Sequence, residues 1–152
     1  MEVYRLSRKG FALPLFKKGD ANQGARWNSK ETELIYCAIN RSLAMAEVAV
    51  HFTYATLPSD YMMMHIFIPD DLKIAVIEKE DFPASWNSFP YSNATKRFGD
   101  EFVRDGEYCL LKVPSAVTKG DFNLLINPYH PEYSRINVLS VEPFPFDQRL
   151  FV

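Results

Sequence analysis

Cysteine and histidine are scarce in this chain, with two and three copies in 152 residues. Cys37 and Cys109 lie in apolar stretches, LIYCAI and EYCLLKV. Two buried thiols in a reducing compartment are therefore expected rather than a disulfide framework. His51, His65 and His130 have no ligand-like spacing, so no metal motif is present. A P-loop, a Rossmann glycine fingerprint and a Gly-x-Ser-x-Gly elbow are missing as well. Charge of one sign is also lacking. A formal net charge of −2 gives no support to a direct nucleic-acid binder with a basic face. No apolar run approaches membrane-spanning length, and MEVYRLSRKG has no apolar leader core, so a soluble cytoplasmic protein is expected. No linker, repeat or low-complexity tract divides residues 1–152, and one domain is expected.

Hydrophobic residues make up 47% of the chain and aromatics 14%, ordinary globular composition with stacking surfaces to spare. Alternation and turn signals predict strands at Glu2–Leu6, Glu33–Cys37, Tyr61–Ile68, Lys73–Ile77, Glu107–Val113, Phe122–Ile126 and Ile136–Phe146. Lys17–Lys30 and Phe82–Asn93 read as loops, and the run Met62–Met64 reads as core filler. Helical spacing predicts helices over Asn40–Tyr54 and Asn93–Asp105, although Gly99 weakens the second. Many strands with a few helices, not regularly alternating, indicate an α+β fold.

Within Asn40–Tyr54, Leu43, Ala46, Val50 and Tyr54 form the predicted core stripe, and Glu47 falls in it. A carboxylate in such a place needs a cation or hydrogen-bond donors. Arg26 is one candidate, in the loop QGARWNS beside Trp27 and Asn28; an arginine can grip a phosphate or carboxylate bidentately. On spacing alone, a solvated Arg and a core Trp weigh more. Tyr36 reads first as a core aromatic and second as a stacking platform. Ser115 follows Pro114 on a rigid turn and suits a hydrogen-bonding role better than a nucleophile. His51, four residues after Glu47, either pairs with it or ends the helix. Asn127-Pro128-Tyr129-His130-Pro131 reads as turn chemistry.

Taken in order, VYRLS (Val3–Ser7), GARWNS (Gly24–Ser29), LIYCA (Leu34–Ala38), LAMAEVAVH (Leu43–His51), LKVPSAV (Leu111–Val117) and NLLINPYHPEY (Asn123–Tyr133) resemble the RES domain family. FPFDQRLF (Phe144–Phe151) resembles its terminal element. The resemblance implies a single domain with a split, mostly antiparallel sheet and flanking helices, similar to the ADP-ribosyltransferase core. It also implies a bacterial toxin that consumes NAD and is paired with an antitoxin carrying an Xre-like helix-turn-helix. Hydrolysis, phosphorolysis and ADP-ribosyl transfer to a protein remain open as chemistries, and so does a homo-oligomeric state. NAD would be substrate rather than cofactor, with no metal.

The family's Arg, Glu and Ser fall on Arg26, Glu47 and Ser115, its tyrosine on Tyr36 and its N-terminal arginine on Arg5. The resemblance assigns Glu47 to the positive charge that develops on ribose as the nicotinamide bond breaks. Arg26 and Arg5 would clamp the pyrophosphate, Tyr36 would stack on nicotinamide, and Ser115 would orient the amide or ribose. Trp27, Asn28 and Asn127 complete the expected NAD-contacting set. Two departures stand out: Ala25 replaces the family's second Gly, and Lys30-Glu31 stands where a Gly often follows. A decayed site that only binds NAD or an antitoxin is the rival they raise.

Overall fold

Period-two alternation sets the faces of the sheet. In the computed structural model, which describes residues 1–19 and 24–151, the strands are β1 (Glu2–Arg8), β2 (Ile35–Ala38), β3 (Tyr61–Phe67), β4 (Ile74–Val76), β5 (Leu110–Pro114), β6 (Phe122–Ile126) and β7 (Asn137–Pro143). They form one sheet in the order β4-β5-β6-β2-β1-β3-β7. Five pairings are antiparallel, and β4 with β5 is the one parallel pair among the described residues. The expected α+β architecture with a mostly antiparallel sheet is what the chain adopts. Its division is a narrow neck: β1 and β2 pair at Tyr4 and Ala38 alone, whereas β1 and β3 pair along all of Glu2–Arg8.

One face of the sheet carries Val3, Ile35, Cys37, Met64, Ile66, Leu110, Leu124 and Ile126, covered by Ala12, Leu15, Phe16 and Tyr133. The alternate residues fill the other face in two patches. Leu111, Val113 and Leu125 pack with Trp27, Phe98 and Phe102, while Leu6, Ala38 and Met63 pack with Leu43 and Ala44. Helix α1 (Arg41–Ala49) supplies Leu43 and Ala44, and helix α2 (Lys96–Asp105) supplies Phe98 and Phe102, so both lie on this second face, one on each side of the neck. The predicted Met core filler is in place: Met63 and Met64 are buried. Both cysteines are buried free thiols.

Helix α1 is shorter than the predicted Asn40–Tyr54. Asn40 caps it, its side chain accepting from the Leu43 N–H at 2.8 Å. It closes as Val50 N–H donates to Ala46 O at 3.3 Å and His51 N–H to Val48 O at 3.1 Å. A turn built on Thr53 and Thr56 then redirects the chain, with Leu57 N–H reaching Thr53 O at 3.0 Å. Val50 and Tyr54 are consequently exposed rather than part of the core stripe, and Ala46 is half-buried. The buried stripe is Leu43–Ala44, and Glu47, one turn on, still shares its side.

The predicted helix over Asn93–Asp105 begins as a 3-10 turn at Asn93–Thr95 and ends at Gly106, whose φ of +62° suits glycine. Gly99 in its middle is required by close packing. A Cβ there would stand 2.0 Å from the Trp27 carbonyl oxygen. Of the expected loop Lys17–Lys30, residues 20–23 lie outside the described residues. No helix among the described residues is long and apolar enough to cross a membrane.

Candidate active site

At the neck of the sheet a cavity of about 680 Å³ opens on the helical face, between α1 and the loops that precede β2 and α2. That volume falls within the roughly 300–1,000 Å³ of small-molecule sites. Tyr4, Arg5, Tyr36 and Ala38 line it from the strands, Ala44, Glu47 and Val48 from α1, and Gly24–Trp27 from the loop before β2. Asn87, Phe89 and Tyr91 line it from the long loop before α2, and Ala116, Val117 and Asn123 from the β5–β6 corner.

Glu47 is half-buried, and its hydrogen bonds are lopsided. Ser115 Oγ donates to Oε1 at 2.6 Å, and Asn123 Nδ2 donates to the same oxygen at 2.7 Å. Among the described residues, no protein donor reaches Oε2. Ser115 is committed to this task. Its oxygen accepts from Val117 N–H at 3.1 Å and Thr118 N–H at 3.0 Å. With both acceptor positions filled, its one hydrogen is left for Glu47. Ser115 is itself buried and does not line the cavity. The geometry therefore places it to position Glu47, as the hydrogen-bonding role read from its turn anticipates; the ribose or amide contact is implied by the resemblance alone.

Arg26 sits at a turn closed by Ala25 N–H to Asn28 O at 3.0 Å and Asn28 N–H to Ala25 O at 3.4 Å. Gly24 enters the turn at φ +73°, where a Cβ would lie 3.1 Å from Lys30 N and 3.2 Å from Asn28 O. The departure at Ala25 leaves this turn closed. Arg26 Nη1 donates to the carbonyls of Trp86 at 2.8 Å and Ser88 at 2.9 Å, leaving Nε and Nη2 without a protein acceptor among the described residues. Burial lowers the guanidinium pKa, and the negative charge of Glu47 is the largest effect opposing it. Arg26 and Glu47 form no ion pair, so a direct salt bridge is not what accounts for the glutamate.

Helix α2 fixes this loop from below. Its first turn has unused N–H groups, and Gly99 N–H donates to Trp27 O at 2.9 Å. Thr95 Oγ1 donates to Arg26 O at 2.5 Å, and Asp100 accepts from Ser29 N–H at 2.8 Å and from the Ser29 hydroxyl.

The remaining sequence candidates divide by location. Tyr36 lines the cavity, and its hydroxyl donates to Asn28 Oδ1 while accepting from Trp27 N–H at 3.3 Å. Burial raises the Tyr36 pKa well above the usual phenol range, so it stays a donor. Asn28 is buried and spends its amide on Ser29 O and Thr32 O at 3.2 and 2.6 Å; it holds Tyr36 and is not in the lining. Trp27 touches the cavity, but its ring belongs to the core with Phe82, Trp86 and Phe98. Arg5 lines the cavity, and its Nη1 donates to Tyr36 O at 3.0 Å, from β1 to β2. His51 lines the cavity past the end of α1 and makes no ion pair with Glu47.

Asn127 stands apart from the cavity. It follows β6 at the end opposite Asn123, about 13 Å away at the rise of a strand, and its Oδ1 accepts from Tyr129 N–H at 3.0 Å. It is a buried turn residue outside the lining. Tyr4, Asn87, Phe89, Tyr91, Asn123 and the anchoring Asp100 escaped the sequence reading. Asn123 alone carried a signal, as a polar residue sharing the parity of Leu125 on the covered face of β6.

The solved structure of the M. tuberculosis MbcT–MbcA toxin–antitoxin complex contains a similar chain, with a TM-score of 0.75 at 16% identity over 99% of this chain and 86% of that one. An α+β domain of that kind, with a carboxylate–arginine pocket on its helical face, is the class that fold and site define. The RES domain model matches residues 2–147, and the chain belongs to the RES domain family. Among its relatives, Toxin Res of Yersinia enterocolitica is 34% identical over 153 residues, covering 99% of each chain. The Prs ADP-ribosylating toxin of a Sphingobium strain is 31% identical over 129 residues, covering 84% of this chain and 80% of its own.

Proposed function

We propose that this RES-family chain is a toxin enzyme that consumes NAD by cleaving the nicotinamide–ribose bond. One observation carries the reading. Glu47 has both its donors on one oxygen, has no protein donor on the other among the described residues, and lines a cavity together with Arg26 and Arg5. A carboxylate held so can face the cationic ribose that forms as the bond breaks. The C1′–N bond breaks with its electron pair going to the pyridinium nitrogen, which releases neutral nicotinamide. A water oxygen then bonds C1′ and loses a proton, giving ADP-ribose; with phosphate as acceptor, a phosphate oxygen bonds C1′ and the product is ADP-ribose phosphorylated at that carbon. Arg26 Nε and Nη2, with Arg5, would hold the pyrophosphate. Tyr36 would offer its ring to nicotinamide, and Ser115 and Asn123 would hold Glu47 in position.

The test is nicotinamide release from NAD by the purified protein, with products separated with and without phosphate. Release that depends on Glu47 and Arg26 is expected; no release under either condition rejects the reading. The name of the Sphingobium relative favours a second reading, in which the acceptor is a protein side chain. Label from adenine-labelled NAD appearing on a protein band, with little free ADP-ribose, would select it. The relatives' toxin names and the paired MbcT–MbcA chains support an antitoxin partner for this chain. We expect an Xre-like helix-turn-helix protein that covers the pocket in the cytoplasm. Undiminished NAD turnover in the purified complex would count against that mode of inhibition.

A further inference from the structure

Phe89 is 82% exposed, an unusual state for a phenylalanine, yet it lines the cavity. Its loop is firmly rooted on the N-terminal side. Trp86 stacks on Trp27 at 6.2 Å between centroids and lies 5.5 Å from Phe82. Arg26 Nη1 holds the carbonyls on either side of Asn87. On the C-terminal side, Tyr91 has the Arg26 guanidinium 5.6 Å and the Lys96 ammonium 5.7 Å from its ring centroid. An aromatic ring is thus presented to solvent at the cavity wall by a loop whose two ends are fixed. A rigidly mounted, unburied ring suits a flat ligand group that covers it.

Position decides which group. Glu47 marks the ribose whose bond breaks, and Arg26 marks the pyrophosphate. Phe89 and Tyr91 lie on the Arg26 side of the cavity, on the loop that Arg26 itself binds. The part of a dinucleotide that extends past the pyrophosphate is the adenosine. We propose that Phe89, backed by Tyr91, stacks on the adenine ring of bound NAD; this rests on the reading of NAD as substrate and names the subsite that selects a dinucleotide over a mononucleotide.

The test compares Phe89→Ala with wild type on NAD and on nicotinamide mononucleotide, which lacks adenosine. Base stacking on an aromatic side chain is worth about tenfold or more in binding. Phe89→Ala is therefore expected to raise KM for NAD by about tenfold, and to lower the preference for NAD over the mononucleotide, as the ratio of their kcat/KM values, by a similar factor. Phe89→Trp should restore a low KM. An unchanged KM, or equal losses on both substrates, overturns the proposal. Calorimetric titration with ADP-ribose separates it from the catalytic reading. If wild type releases no nicotinamide, weaker ADP-ribose binding by Phe89→Ala still supports the subsite, and equal or absent binding by both proteins rejects it.

Discussion

Two glutamates have sunk into this fold, and they have been treated in opposite ways. Glu33, just before β2, is 8% exposed and has a partner on each oxygen: Tyr129 OH donates to Oε1 at 2.7 Å and Gly19 N–H to Oε2 at 2.9 Å. It ties the chain near residue 19 to the turn after β6. Glu47 is less buried, lines the cavity, and has both donors on one oxygen. A buried carboxylate with a protein donor on each oxygen is tied into the architecture from both sides. One satisfied on a single side is held in place and still open to chemistry.

Substitutions can break or sharpen that contrast. Glu47→Gln should have the largest effect, lowering the rate of nicotinamide release by about 10²–10³-fold while thermal unfolding stays near wild type. Turnover at the wild-type rate would remove Glu47 from the mechanism. Gly99→Ala should injure both regions, since its methyl group would meet the Trp27 carbonyl. A destabilisation of about 1–3 kcal/mol is expected, roughly 2–12 °C in Tm, together with weaker NAD binding as the Arg26 turn is displaced. Glu33→Gln should reverse the Glu47 pattern: about 1–3 kcal/mol of stability lost in chemical denaturation, with kcat of the folded protein retained. A folded Glu33→Gln protein without activity would collapse the distinction between the two glutamates.

Asn123→Ala should cost less, about tenfold in kcat with little change in KM, because one of the two donors to Glu47 is lost. The smallest effect concerns Cys37, on β2 between the two regions. Burial pushes its thiol up to about 12 from an ordinary 9.0. A raised folded pKa means the contribution is fully present below pH 9 and is lost as pH climbs toward 12. Denaturation midpoints should fall over that window, and Cys37→Ala should flatten the fall.

Strand positions were legible because alternation, apolar runs and turn signals are local, and β1, β3 and β6 lie close to their predicted bounds. The end of α1 was not, because Val50 and Tyr54 keep helical spacing while the Thr53–Thr56 turn overrides it. Glu47 could be found as a carboxylate on an apolar stripe. Its partners Ser115 and Asn123 are 68 and 76 residues away in sequence, and only the β5–β6 pairing brings them together. Asn127 sits four residues from Asn123 in sequence, but β6 carries it to the opposite end of the strand. Gly99 looked like a flaw in a helix until the Trp27 carbonyl filled the space its missing Cβ leaves.

The neck of the sheet has a mechanical meaning. Where Tyr4 and Ala38 are the sole backbone pair between β1 and β2, the molecule has a seam, and the Arg5 side chain bonded to the Tyr36 carbonyl acts as a stitch across it. Arg5 belongs to one margin, Tyr36 and Asn123 to the other, and a ligand touching all three would rivet the two half-sheets together. The ligand's own binding free energy would then strengthen the seam, raising stability by about 2.7 kcal/mol at a hundredfold excess over Kd. Amides flanking the seam in β1 and β2 are those whose exchange with solvent should slow most when the cavity is filled.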